Sequence, residues 1–314
     1  MMAKSEKAIV KKKKGFVWEM KKNWELYLLV LPALLYLLLF VYKPMGGILM
    51  AFEKFRISKG IWGSEWVWFD NFKRFFSSYW FPITLKNTLT LSVLSLILGL
   101  PTPIILALAF NELKEGGKIK KWVQTISYAP HFIATVVMCG MLTIFLNPEY
   151  GVINRLLGVV GVEPISFLSE PRLFKWIYVL SAIWQQSGWS AIIYISALSG
   201  VDKSLLEAAE IDGASRFQKV VHVNFPVLVP TIIILTILNC GSLLSVGYEK
   251  VLLLQQDLTL STSEVLSTYT YKLGLVNYDY SFSTAASLFN SVVNAIILVT
   301  VNKLSAKFSE TSLW

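Results

Sequence analysis

The residues of this chain with the chemistry to bind or react are two histidines, two cysteines and a scatter of side-chain amides. Cys139 and Cys240 sit inside apolar runs with no CxxC spacing, so they read as small buried hydrophobes and not as a disulfide or metal pair. His131 and His222 fall on different segments, and neither has a metal-ligand partner at a workable spacing. His222 reads as a surface residue, and His131, beside Pro130, as a hydrogen-bonding group inside a helix bundle. Gly46-Gly47 and Gly116-Gly117 lack the Lys-Ser/Thr that would hold phosphate and Mg²⁺, and no GxSxG, HExxH or carboxylate pair stands in a position to do chemistry. The chain is therefore expected to be a non-enzyme with no metal and no cofactor of its own.

What remains is hydrogen bonding at unusual depth. Gln185 and Gln186 fall in the middle of a long apolar run, beside Trp184, Gly188 and Trp189. Gln185 and Trp189 share a helix face at i, i+4. Asn239 and Ser242 share one at i, i+3 in the next run, and Asn290 with Asn294 in the last. Polar groups at membrane depth are costly unless they face the bundle interior or water. Two readings stand side by side. Gln185, Gln186, Trp189, Asn239 and Ser242 offer amides, a hydroxyl and an aromatic face to a sugar. Alternatively, they are hydrogen-bonding glue between helices.

The elements that position these residues are membrane spans. The 314 residues are 54% hydrophobic and 16% charged, which is too little charge to cover a soluble domain of this size. Apolar runs near 26–49, 86–110, 124–146, 174–198, 227–248 and 284–303 give an all-α polytopic protein of six helices. Pro130 and His131 interrupt the third run. Leu26 to Tyr42 is long for a cleaved signal peptide and reads as a retained anchor. The +9 net charge owes much to Lys4, Lys7, Lys11 to Lys14, Lys21 and Lys22, a basic tail that orients a membrane protein and argues against nucleic acid as a partner. Seventeen of the 29 lysines and arginines fall on the side of the termini, in the shorter segments, so both termini are expected in the cytoplasm. The aromatic-rich stretch ending in Phe81, with Trp62, Trp66, Trp68, Phe69, Phe72, Phe75, Phe76 and Trp80, suits a helix lying at the lipid–water interface.

One charged segment breaks the pattern: "EAAEIDGASRFQKVVHVNFP", Glu207 to Pro226, on the expected cytoplasmic side. Ser204 with Glu207 matches a capping box. Leu205, Leu206, Ala208, Ala209 and Ile211 then form a small, apolar helix, and Asp212-Gly213 is a turn signal. Such a unit, tied at both ends to membrane helices, is either a solvated connector or a rigid lever.

Glu207-Ala208-Ala209, three residues, Gly213, nine residues, then Val223-Asn224-Phe225-Pro226 resembles the EAA signature of ABC importer permeases, with Val for Ile and Phe for Leu. "KNTLTLSVLSLILGLPTPIILALAFNEL", "KKWVQTISYAPHFIATVV" and "SFSTAASLFNSVVNAI" resemble the sugar-importer branch, in particular permeases of the lipoprotein or polysaccharide transport type. The resemblance implies a type I importer permease fold. Residues 1–25 would be a cytoplasmic tail, 26–303 the permease domain with a coupling loop at 199–226, and 304–314 a cytoplasmic tail. It implies a bacterial cytoplasmic-membrane location and a second homologous permease subunit. It also implies two ATPase subunits that hold ATP and Mg²⁺, and a periplasmic or extracellular solute-binding protein that delivers an oligosaccharide. Glu207, Ala208, Ala209, Asp212 and Gly213 match the positions that dock on the ATPase. Arg216 and Lys219 are either acidic-residue contacts there or solvated side chains. An ion-driven carrier would instead call for ionisable residues in the spans, and a membrane scaffold for no polar cluster at depth.

Overall fold

A computed structural model describes residues 22–113, 116–309 and 311–314; most of the basic tail, residues 1–21, lies outside the described residues. The chain divides into two units, one reaching Leu49 and the other Met50 to Trp314. In the first, α1 (Trp24–Tyr36) buries no residue and continues through a π turn, Leu37–Tyr42, into a 3₁₀ stretch from Lys43. A helix apolar on every side and buried on none is one whose solvent is lipid.

The second unit opens on a two-residue ribbon, β1 (Glu53–Lys54) paired antiparallel with β2 (Glu65–Trp66), around α2 (Gly60–Gly63). It continues with α3 (Asp70–Phe76). This helix carries Phe72, Phe75 and Phe76 of the aromatic stretch. Asn71 of α3 donates to the carbonyls of Ala51 and Glu53 and ties the helix to the ribbon. Phe75 is fully buried, with its ring against Phe81, Phe282 and Phe289. The aromatic stretch is thus divided, because Trp62 is 93% exposed while Phe75 is core.

α4 (Trp80–Gly99) and α5 (Pro101–Asn111) form one continuous 32-residue apolar helix, Trp80–Asn111. Pro101 stands at the junction of α4 and α5 within that helix. α6 (Lys118–Tyr128) passes through a 3₁₀ turn at Ala129–Phe132, and α7 (Thr135–Phe145) leaves it at 100°. Pro130 lies in that turn, and Ile133 and Ala134 are extended. The expected run 124–146 is therefore two arms and not one rod.

α8 (Val152–Val159) leads to α9 (Pro171–Leu198), 28 residues long, which packs on α4, α5, α6 and the 3₁₀ turn. The next elements are α10 (Lys203–Ile211), α11 (Arg216–Lys219) and, beyond a π turn at Val220–Asn224, α12 (Phe225–Cys240). The expected fifth span, 227–248, is corrected at its C-terminal end. The helix stops at Cys240, where the Ser242 amide and hydroxyl both bond to the Asn239 carbonyl. Three short helices follow, α13 (Tyr248–Leu254), α14 (Leu260–Ser263) and α15 (Leu266–Tyr271), and the chain closes with the 30-residue α16 (Tyr280–Ser309).

Among the described residues, four helices are long and apolar enough to cross a membrane: Trp24–Phe52, Trp80–Asn111, Arg216–Cys240 and Tyr280–Ser309. The bent pair α6–α7 gives a fifth crossing if taken as one span. α9 has the length but less apolar character, with Ser181, Gln185 and Ser187 among its buried residues beside Phe174, Val179, Ala191, Tyr194 and Leu198.

Candidate functional site

The polar residues of α9 point two ways. The Gln185 amide, itself buried, donates to the Ile133 carbonyl at 2.8 Å. That carbonyl is freed where the chain is extended between α6 and α7, so the side chain replaces the hydrogen bond that the break removed. Trp189, one turn on, stacks its indole on His131. Between them Gly188 lies so close to the Ser127 backbone that no Cβ has room there. Small residues permit this close approach of helices. Gln185, Gly188 and Trp189 together brace the break.

Gln186 both touches the break and faces a cavity. His131 Nδ1 donates to its Oε1 at 2.8 Å, an amide oxygen being an acceptor only. Gln186 also lines a cavity of about 420 Å³ between α4, α5, α9 and the end of α12. Asn239 and Ser242 line the same cavity, with Ser92, Ser95 and Ser190. Tyr178 and Tyr194 stand in its wall, and among the described residues no Asp, Glu, Lys, Arg or His does. Of the five depth-selected residues, Gln186, Asn239 and Ser242 meet in this cavity, and Gln185 and Trp189 face the break, which Gln186 also reaches through His131.

Ser92, Ser95 and Ser190 were passed over in the sequence because a serine in an apolar run commonly bonds its own helix. Ser92 instead donates to the Leu243 carbonyl across the bundle. The last pair, Asn290 and Asn294, also divides. Asn294 accepts from the Leu244 amide and donates to Ser245 Oγ, both at 2.9 Å, and so holds the turn after α12. Asn290 Oδ1 is buried without a partner.

The second candidate region is the segment from Asp202 to Asn224. Its first helix, α10, is capped by Asp202, whose carboxylate accepts from the Ser204 amide at 2.9 Å. This corrects the expected Ser204–Glu207 box: the residue two positions earlier already takes the orphan donor. The reciprocal box belongs to α11, where Ser215 and Gln218 each accept from the other's backbone amide. At the end of α10 the Gly213 amide bonds to the Glu210 carbonyl and the Ala214 amide to that of Ala209. That is a Schellman closure, and Gly213 takes the φ of +77° it requires.

Lys219 reaches back from α11 to Glu210 at 2.5 Å, and this cation holds the Glu210 carboxyl below its usual range. Glu207, Ala208 and Asp212 are exposed, and Ala209 is half-buried. His222 is on the surface, donating Nδ1–H to the Gln218 carbonyl at 3.1 Å. The surface also bears Ile211, 87% exposed, and Phe217, 76% exposed. Apolar groups that open on a charged segment await a partner surface. A helical membrane protein with an uncharged internal cavity and a stiff segment presented between two of its helices has the parts of a transporter's permease.

The comparisons name the class directly. The family model described as "Binding-protein-dependent transport system inner membrane component" matches residues 99–309. The chain is 41% identical over 303 residues to the protein LplB of Bacillus subtilis (strain 168), covering 96% of this chain and 95% of that one. It is 39% identical over 303 residues to the polygalacturonan/rhamnogalacturonan transport system permease protein YteP of the same organism, covering 96% and 94%. Among solved structures it is similar to a chain of a bacterial alginate ABC transporter in complex with an alginate pentasaccharide-bound periplasmic protein. There the TM-score is 0.87 at 40% identity, covering 95% of this chain and 99% of that one. The chain belongs to the family of inner membrane components of binding-protein-dependent transport systems, the non-catalytic permeases of ABC transporters.

Proposed function

We propose that this chain is the membrane-spanning subunit of an ATP-driven importer that passes an oligosaccharide across the bacterial cytoplasmic membrane by alternating access. The observation that carries the reading is the cavity lined by Gln186, Asn239, Ser242, Ser92, Ser95 and Ser190, with no charged side chain among the described residues of its wall. Amides and hydroxyls are the donors and acceptors a polyol needs, and their neutrality lets a sugar leave as readily as it enters. Relatives named for polygalacturonan/rhamnogalacturonan and alginate support a saccharide as cargo.

In this reading the chain crosses the membrane six times with both termini in the cytoplasm, α9 and the bent α6–α7 pair each counting once. A second permease subunit closes the cavity from the other side, and a solute-binding protein delivers the sugar. Two ATPase subunits holding ATP and Mg²⁺ dock on Glu207, Ala208, Ala209, Asp212 and Gly213. The Schellman turn and the Lys219–Glu210 pair make α10 and α11 one stiff piece. A push on α10 is therefore delivered to α9 and α12, whose ends flank it and whose side chains line the cavity.

The test is co-purification of the tagged chain, followed by reconstitution and substrate-stimulated ATP hydrolysis. An ATPase and a second permease should come with it. Glu207→Ala should lower stimulated hydrolysis and Gln186→Ala should lower sugar uptake, with both variants inserted normally. If the chain purifies without an ATPase, the proposal falls.

A further inference from the structure

At the Pro171 end of α9, the end farther along that helix from the α10–α11 segment, lies a cavity of about 550 Å³ between α9, α4 and α14. Lys86, Arg172 and Lys175 line it, with no acidic residue among the lining. The ion pairs formed among the described residues involve none of the three. Three of the neutral polar side chains of this cavity are already engaged. Asn87 donates to the Ser261 and Glu264 carbonyls, Thr90 to that of Lys86 and Thr262 to that of Pro171. The three cations have no carboxylate partner, although Lys175 also lies 5.6 Å from the centroid of the Trp176 ring, so the fitting ligand is an anion that accepts hydrogen bonds.

A second cavity, of about 420 Å³, adjoins the first, and Trp176 lines both. This one runs along α9 from Leu173 through Leu180 to Trp184, facing Met138, Met141 and Phe145 of α7. Its one polar side chain, Ser181, spends its hydroxyl on the Ile177 and Tyr178 carbonyls. The groove therefore offers a ligand nothing but hydrocarbon. Eleven residues of helix rise give it a length of roughly 16 Å, close to the roughly 15 Å hydrocarbon depth of one leaflet.

We propose that the paired cavities bind one anionic phospholipid, its phosphodiester against Lys86, Arg172 and Lys175 and an acyl chain in the groove between α7 and α9. A free phosphate or an acidic sugar would satisfy the cations and leave the groove empty. A neutral lipid would fill the groove and leave the cations unmatched. Charge and apolar length on either side of Trp176 together select a lipid that carries both.

The experiment is native mass spectrometry and thermal unfolding of the detergent-purified chain, with whatever subunits accompany it. Dioleoylphosphatidylglycerol, dioleoylphosphatidylcholine, inorganic phosphate and a galacturonate oligomer are titrated separately. Phosphatidylglycerol should bind about tenfold or more tightly than phosphatidylcholine, as three basic side chains near an anionic head group allow. The triple variant Lys86→Gln, Arg172→Gln, Lys175→Gln should lose that preference and keep its lipid-free unfolding midpoint. Should the triple variant prove unstable, Lys86→Gln alone, at an exposed position, should still narrow the preference severalfold. The proposal is overturned if the preference survives neutralisation, or if phosphate or galacturonate displaces the bound lipid.

Discussion

The imidazole of His131 lies flat on the indole of Trp189, their centroids 4.5 Å apart and their planes 3° from parallel. His131 belongs to the turn that breaks the α6–α7 pair, and Trp189 to the unbroken α9. With Gln185 on Ile133 and Gln186 on His131, two successive turns of α9 hold a bend of 100° in place.

The two neighbouring glutamines should therefore fail differently. Among the described residues Gln185 alone bonds the Ile133 carbonyl with its side chain, and Gln185→Leu should destabilise the protein by about 1 kcal/mol, the cost of an orphaned half-buried acceptor. Gln186→Leu should leave the unfolding midpoint nearer to wild type and lower uptake. Thermal unfolding in detergent beside uptake in vesicles reads both. Equal midpoints for the two variants would contradict this division of roles.

Gly188→Ala should be worse than its size suggests. The added methyl meets the Ser127 backbone, which cannot rotate aside, and overpacking of this kind costs about 1–3 kcal/mol. Gly140→Ala on α7 is the control, since nothing lies within 4 Å of a Cβ there. The midpoint should drop for the first and stay for the second.

Gly213 should rank its replacements by backbone conformation. Asn tolerates the left-handed region better than other residues, Ala pays about 1–2 kcal/mol, and Pro both fixes φ near −65° and removes the N–H given to the Glu210 carbonyl. Substrate-stimulated ATP hydrolysis of the reconstituted complex should fall in the order Gly, Asn, Ala, Pro while the amount of inserted chain stays constant. A flat series would show that this turn transmits nothing.

Lys250, on α13 beyond the long helices, makes stability depend on pH. Its Nζ donates to the Tyr178 carbonyl at 3.0 Å and sits 4.9 Å over the Tyr178 ring, and burial of the ammonium lowers its pKa from 10.5 to about 8. Between those two values the unfolded chain holds the proton and the folded chain has released it, so folding gains as pH rises. The penalty is fully present below pH 8 and gone above 10.5, a swing on the order of 3 kcal/mol. Unfolding midpoints should climb across that window for wild type and flatten for Lys250→Met.

How much of this could be read in the residues follows from the range of each interaction. Apolar runs and the Asp212-Gly213 turn are local, and the helices containing 86–110 and 174–198, like the stop at Gly213, lie where the runs and the turn signal put them. Pro130 marked a break but not its angle, since the bend is held by residues more than 50 positions away. The fifth helix ended early because Leu243, Leu244 and Val246 look like continued span, yet their turn is pinned by Asn294 from α16. The cap of α10 was misplaced by two residues, because Asp202 and Ser204 are both good cap residues and only geometry chooses. Phe75 and Trp62 are both aromatics in one stretch, and only contacts with α16 separate core from surface. In the cavity, Gln186, Asn239 and Ser242 stood out by depth, whereas the serines did not.

The bond from Gln185 to Ile133 joins positions 52 apart in the chain. Synthesis runs from the N-terminus, so the bend leaves the ribosome well before the side chain that secures it. For that interval the Ile133 carbonyl lacks the side-chain donor that it has in the folded protein, so the break at Pro130 is secured only after α9 has been made.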